Sequence, residues 1–212
     1  MNRVVFIVDG FNLYHSLKAA QAVQRPASTK WLDLCSLFSS QLYHFGKDAV
    51  LHKVFYISAL AVHLEASNPN LTKRHQAYIK CLQANGVITL LNRFKRKDVF
   101  CKLCKRSFYK YEEKETDVML ATTLFEQLAT DNCDTVVLVT GDTDLAPAIR
   151  SGQKLFPHKL ILFAFPYGTK TTELKTLAPA SFTLSSAAYA KHQFPNPFIL
   201  SDGTTIPKPI KW

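Results

Sequence analysis

The sequence predicts a single α/β domain built on a Rossmann-like, mostly parallel sheet with helices on both faces. Three observations predict it. Five short runs are rich in Val, Ile, Leu and Phe and do not alternate with polar residues, the pattern of strands covered on both faces. Stretches with helical spacing separate these runs. A chain of 212 residues suits one domain with one sizeable core.

The first strand is expected over Val4–Val8. A helix over Leu13–Gln24 follows, and Arg25-Pro26-Ala27-Ser28 breaks it from a second helix over Trp31–Tyr43. Val54–Ile57 is the second strand. Asn68-Pro69 opens a helix running to about Gln83, and Gly86 marks its end. Val87–Leu91 is the third strand. From Phe94 to Tyr111 neither period fits, so residues 93–114 are read as a basic insertion before the next helix. That helix, Val118–Ala129, carries Val118, Ala121, Phe125, Leu128 and Ala129 close to the helical period. Strand Thr135–Val139, helix Leu145–Phe156 and strand Leu160–Phe165 complete the alternation. The domain so read spans 1–190. Pro195, Pro197, Pro207 and Pro209 predict an extended arm over 191–212, lying on the domain.

Composition narrows the class. With 47% hydrophobic and 12% aromatic residues the chain is globular rather than disordered. The longest apolar run, Val54 to Val62, is too short to span a bilayer, so no membrane partner is expected. The apolar start, Met1 to Val8, is interrupted by Asp9 and has no small-residue cleavage site, so a cytoplasmic protein is expected. Five scattered cysteines argue against a disulfide framework. Cys35, Cys81 and Cys133 lie in apolar patterns and read as core.

The formal net charge is +10, and it is concentrated. Residues 93–114 hold nine basic side chains (Arg93, Lys95, Arg96, Lys97, Lys102, Lys105, Arg106, Lys110 and Lys114) against Asp98, Glu112 and Glu113. Such density attracts a polyanion through counterion release, and nucleic acid is the expected partner. Charge alone fits a solvated loop equally well.

In an open α/β sheet ligands bind outside the carboxyl ends of the strands. Asp9 follows the first strand, with Gly10 after it, and Asp142 and Asp144 follow Val136 to Gly141. Asp117 heads a helix in line with Ala121, Leu124 and Leu128, and so is expected to begin the stripe facing the sheet. Glu113 would lie beside it if the helix began one turn earlier. Each aspartate has a plainer use as a helix cap: Asp144 before Leu145–Phe156 with Pro147 in the first turn, Asp117 in competition with Thr116, and Asp9 in competition with Asn12. Together, however, they converge on one sheet edge, where carboxylates repel one another unless a cation is bound. Oxygen-only ligands suit Mg²⁺ or Mn²⁺. One or two such ions would activate water and neutralise charge on a phosphate under attack. Lys114 is the candidate for the scissile phosphate, and the basic insertion, with Arg96, Lys97, Lys105 and Arg106, for the rest of the strand.

Three blocks in this order, Val8-Asp9-Gly10-Phe11-Asn12-Leu13-Tyr14, Tyr111-Glu112-Glu113-Lys114-Glu115-Thr116-Asp117-Val118 and Leu138-Val139-Thr140-Gly141-Asp142-Thr143-Asp144-Leu145, resemble the NYN domain proteins of the LabA-like group, a branch of the PIN-like nucleases. Phe165-Pro166 with Thr172-Glu173-Leu174-Lys175 is similar to that group's last block. The resemblance runs over nearly the whole chain. It implies a PIN-like fold and a Mg²⁺-dependent nuclease, acting on RNA before DNA, in a family whose domains often pair as homodimers. It implies Asp9, Asp117, Asp142 and Asp144 as metal ligands and Asn12 as a polar helper near the metal or phosphate. Thr140 or Thr143 stands where relatives have serine, which keeps a hydroxyl for substrate.

Other motifs lead less far. Cys101-Lys102-Leu103-Cys104 is half of a zinc site, but no second pair follows at zinc-finger spacing, and a reduced, metal-free pair is the reading adopted. Phe94, Phe100, Phe108, Tyr109 and Tyr111 can stack on unpaired bases or pin the insertion to the domain. No histidine motif, Walker loop or nucleophile elbow is present. A phosphatase built on Asp9 would need an acid where Phe11 stands. The remaining alternative to a nuclease is a module that binds nucleic acid without cutting it.

Overall fold

The computed structural model describes residues 1–169 and 171–210; the last two residues of the predicted arm lie outside the described residues. Strand β1 (Asn2–Asp9) is central, because its six residues from Val4 to Asp9 are buried and it can only be covered on both faces. Helices α1 (Gly10–Val23) and α2 (Leu34–Ser39) lead to β2 (Ala49–Ala59), and α3 (Leu71–Ala84) leads to β3 (Ile88–Phe100). Strand β4 (Ser107–Lys114) returns antiparallel to β3. Helix α4 (Thr116–Ala129) then crosses to β5 (Thr135–Val139), and α5 (Ala146–Leu155) to β6 (Leu160–Phe165). Helix α6 (Thr172–Leu177), β7 (Phe182–Thr183) and α7 (Ser186–Lys191) close the domain.

The seven-stranded sheet has the order β4-β3-β2-β1-β5-β6-β7, parallel throughout except between β3 and β4. The chain leaves β1 in one direction toward β3 and later resumes on its other side at β5. Right-handed crossovers in opposite directions put α1, α2 and α3 on one face and α4 and α5 on the other. The order reverses between β1 and β5, and a crevice opens there at the strands' carboxyl ends. The core is a single cluster in which Phe6 stacks on Phe38 at 4.1 Å and Trp31 is fully buried.

Several expectations change. The basic stretch 93–114 is a β-hairpin: β3 continues well past Leu91 and pairs from Arg93–Lys114 out to Phe100–Ser107. Its periodicity was hidden because both faces are largely exposed beyond the sheet, which removes the apolar alternation. The helix expected over Trp31–Tyr43 is shorter, since Asp33 caps α2 through Ser36 N–H, and a 3₁₀ turn at Leu42–Phe45 follows. Trp31 and Leu32 instead meet the C-terminal segment: Phe194 N–H donates to Trp31 O, and Leu32 bridges Gln193. That segment is not simply extended, because β8 (Phe198–Ile199) and β9 (Thr205–Ile206) form a small hairpin. No described helix is long and apolar enough to cross a membrane. All five cysteines are free; Cys81 and Cys133 are buried and Cys35 half-buried.

Candidate active site at the sheet switch point

Asp9 ends β1 and caps α1 directly. Gly10 allows this immediate turn into the helix, since a Cβ there would stand 2.8 Å from Tyr56 Cζ and 2.9 Å from the Ile57 carbonyl. The Asp9 carboxylate is 3% exposed and accepts four hydrogen bonds. Oδ1 accepts from the Phe11 and Asn12 N–H groups at 3.1 and 3.0 Å. Oδ2 accepts from Asn12 Nδ2 and Thr140 Oγ1, both at 2.9 Å. Burial raises its pKa, and the four donors oppose that rise.

The second edge of the crevice is built on β5. Thr140 is fully buried; its hydroxyl donates to Asp9 and accepts from Asp142 N–H at 3.1 Å. Asn12 Oδ1 accepts from Gly141 N–H at 3.2 Å. Asp142 caps a 3₁₀ turn over Thr143–Leu145 by accepting from Asp144 N–H at 3.0 Å. A few hydrogen bonds between β1 and β5 thus set the spacing of two acidic loops.

The third edge comes from β4 and α4. Glu115 takes a left-handed conformation, φ 78°, which turns the end of β4 abruptly into the helix. Glu113 faces the crevice from β4, and the Thr116 hydroxyl donates to its Oε1 at 2.6 Å. Asn92 on β3 donates in turn to Thr116 Oγ1. A cleft of about 200 Å³ results, lined by Asp9, Phe11, Asn12, Glu113, Glu115, Thr116, Asp117 and Asp142.

The carboxylates sense one another. Burial raises the Asp117 pKa first, and the charges of Asp142, Asp9 and Asp144 raise it further. Glu113 is raised by burial, against the Thr116 hydrogen bond, and by Asp9 and Asp117. A divalent cation would relieve this repulsion, and the donor set is all oxygen. Among the described residues no three acidic, His or Cys side chains stand close enough to hold an ion directly.

Of the four aspartates expected to gather, Asp9, Asp117 and Asp142 line the cleft; Asp144 is exposed on the 3₁₀ turn and reaches it only through its charge. Asp117 does not begin the buried stripe of its helix. Thr116 does, followed by Leu120, Thr123, Leu124, Gln127 and Leu128, so Asp117 is turned outward to the rim. Lys114 does not reach the cleft: side chains alternate along β4, and its Nζ pairs with Glu112 at 2.9 Å. Thr140 is too deeply buried to touch a substrate, and Thr143 is exposed on the turn. Glu113 enters from a strand rather than an early helix turn. Its parity with Tyr111 and Tyr109 would have signalled this had the hairpin been recognised.

The hairpin's charges are partly spent internally. Lys110, Lys114 and Lys97 surround Glu112 and hold its carboxyl down to about 2. Arg93 pairs with Glu115, and Arg96 with Asp98 while lying over the Tyr109 ring. Among the described residues no ion pair joins Lys95, Lys102, Lys105 or Arg106. Cys101 and Cys104 sit in the hairpin's connecting turn, where Cys104 N–H donates to Cys101 Sγ at 3.5 Å, and no third ligand joins them among the described residues.

The family model for the NYN domain matches residues 3–185. Among solved structures, a protein of unknown function from Vibrio parahaemolyticus is similar over 87% of this chain and 93% of its own, with a TM-score of 0.57 and 16% identity. That likeness concerns the fold. No curated protein matches.

Proposed function

This chain belongs to the NYN domain family, a PIN-like nuclease family, and on that premise we propose that it is a metal-dependent nuclease that hydrolyses phosphodiester bonds in RNA. One observation carries the reading: carboxylates from β1, β4, α4 and the turn after β5 meet in a single cleft where the sheet reverses its order. When bound there, Mg²⁺ or Mn²⁺ supplies an activated water and neutralises charge on the attacked phosphate.

The chain's own residues have separable tasks. Asp9 is a fixed negative charge, held by Asn12, Thr140 and the first amides of α1. Asp142 and Asp117 face it from the other two edges, less buried and open to solvent exchange. Thr140 and Asn12 are positioning residues that keep the β1 and β5 loops at a fixed separation. The hairpin, through Lys102, Lys105, Arg106 and Lys95, holds the phosphate backbone away from the cleft.

The test is cleavage of single-stranded RNA with Mn²⁺ by the native protein and by Asp142→Asn. The expected outcome is a loss of at least about 10²-fold. Equal cleavage by both would remove the claim.

A second reading has a specific observation in its favour. All four acceptor positions of Asp9 are already filled, so the residue is satisfied as a helix cap without any ion. A module that binds nucleic acid and does not cut it would bind RNA equally well in EDTA, and its melting temperature would ignore Mg²⁺ and Mn²⁺.

A further inference from the structure

Beside the carboxylate cleft, and sharing Phe11 with it, lies a larger cavity of about 570 Å³ between α1, α3 and the 3₁₀ turn at Val62–Leu64. Its size is that of a small-molecule site. We infer that this cavity seats one nucleobase with its sugar, so that the strand entering the carboxylate cleft is unpaired at that position. The inference rests on the nuclease reading for its substrate and deepens it.

The chemistry of the walls argues for a base. Phe11 and Tyr14 on α1 and Phe94 on β3 give aromatic surface for a flat ring. Phe11 is 49% exposed and lines both the cavity and the acidic cleft. Two lining residues carry a polar atom with no hydrogen-bond partner among the described residues. Thr72 is only 6% exposed, and its Oγ1 is unpaired among the described residues. His63 Nδ1 is buried and unpaired as well, while its ring is held by stacking on Tyr111 at 4.2 Å. Neither atom is reached by solvent as the cavity stands, so the donor and acceptor edge of a base meets them through rotation of the Thr72 and His63 side chains, which a purely apolar ligand would not reward.

Charge places the flanking phosphates without fixing the polarity of the strand. Lys18 and Arg74 lie in the same lining, where the phosphate of a bound nucleotide would meet them. On the other side, through Phe11, the other flanking phosphate of a longer strand would lie toward the cleft of Asp9, Asp117 and Asp142. A base stacked within a duplex cannot enter without being extruded, so single strands are the natural occupants.

The probes are AMP, UMP, ribose 5-phosphate and inorganic phosphate, titrated calorimetrically in EDTA against the native protein and three variants. AMP and UMP bind, and ribose 5-phosphate and phosphate bind at least about tenfold more weakly, because stacking is lost. Thr72→Val weakens AMP about tenfold and Thr72→Ser restores it. Leu64→Trp, which fills the cavity from its rim, abolishes binding even if Thr72→Val folds poorly. The inference is overturned if ribose 5-phosphate binds as well as AMP, or if both Thr72→Val and Leu64→Trp leave AMP affinity unchanged. The two readings separate cleanly. A protein that cuts RNA but ignores AMP loses only this cavity, whereas one that binds AMP but never cuts retains the cavity and loses the nuclease.

Discussion

The Thr140 hydroxyl donates to Asp9 Oδ2 at 2.9 Å, and this bond joins the carboxyl ends of β5 and β1 beneath the acidic cleft. Thr140 Oγ1 also accepts from Asp142 N–H, so one buried hydroxyl orients two acidic residues 133 positions apart. Removing it leaves a buried carboxylate short of a donor. Thr140→Val is expected to lose about 1–3 kcal/mol by urea denaturation, with Thr140→Ser close to native. Native stability in the valine variant would remove Thr140 from this role.

Gly141 is confined by Thr169. A Cβ at 141 would stand 2.1 Å from Thr169 Cγ2 and 3.6 Å from Asn12 Oδ1. Gly141→Ala should therefore cost about 1–3 kcal/mol by overpacking, and Thr169→Ala in the same chain should recover most of it. A double variant no better than the single would show that backbone conformation, not this methyl group, excludes a side chain.

His75 supplies a pH dependence of known sign. Burial pushes its imidazole from 6.5 down to about 4, beside Tyr56 OH at 3.4 Å. The unfolded chain thus binds this proton more readily. The contribution of neutral His75 is complete above the unfolded value and is lost as pH falls toward the folded one. Within that window the slope approaches about 1.4 kcal/mol per pH unit. Urea unfolding at several pH values checks it: His75→Gln should show a shallower decline between about pH 6.5 and 4.5.

The hairpin charges should act through salt. Lys102→Gln with Arg106→Gln removes two cations that have no ion pair among the described residues, without touching the core. The slope of log affinity for single-stranded RNA against log salt should fall by about 1–2, measured by fluorescence anisotropy, with the melting temperature unchanged. Lys114→Gln should change binding less, because that ammonium is held by Glu112. A larger effect at Lys114 than at the tip would reverse the proposed path of the strand.

Four of the five predicted strands, those in β1, β2, β5 and β6, were legible because they are buried on both faces, and continuous apolar runs have no other common use. Val87–Leu91 was legible from its apolar run although Ile88 and Leu91 are exposed. Thr135–Val139 and Leu160–Phe165 fall where the sequence puts them. The hairpin was not legible. Arg93 to Lys114 is stabilised by cross-strand pairs and ion pairs rather than by an apolar face, so no hydrophobic period marks it. Helix α4 was found, yet its rotation was not. Positions 117, 121, 124 and 128 and positions 116, 120, 123 and 127 fit the helical period equally well. Thr116 and Thr123 win the buried face although both are polar, Thr116 by bonding Glu113 and Asn92. The cap of α1 was likewise ambiguous between Asp9 and Asn12, and Gly10 decided it by letting the helix start against β2.

By itself the sequence determined the α/β class, the central strands and the positions of Asp9 and Asp142 after two of them, because burial pattern and strand-end chemistry are local. Only the tertiary structure decided which acids share a cleft. Glu113 joins, Asp144 stays outside and Lys114 turns away, since strand parity, helix rotation and the left-handed Glu115 are fixed by packing between segments far apart in the chain. The cavity behind Phe11 belongs to the same category. Its unpaired Thr72 hydroxyl becomes visible only once α1, α3 and the 3₁₀ turn between β2 and α3 enclose it.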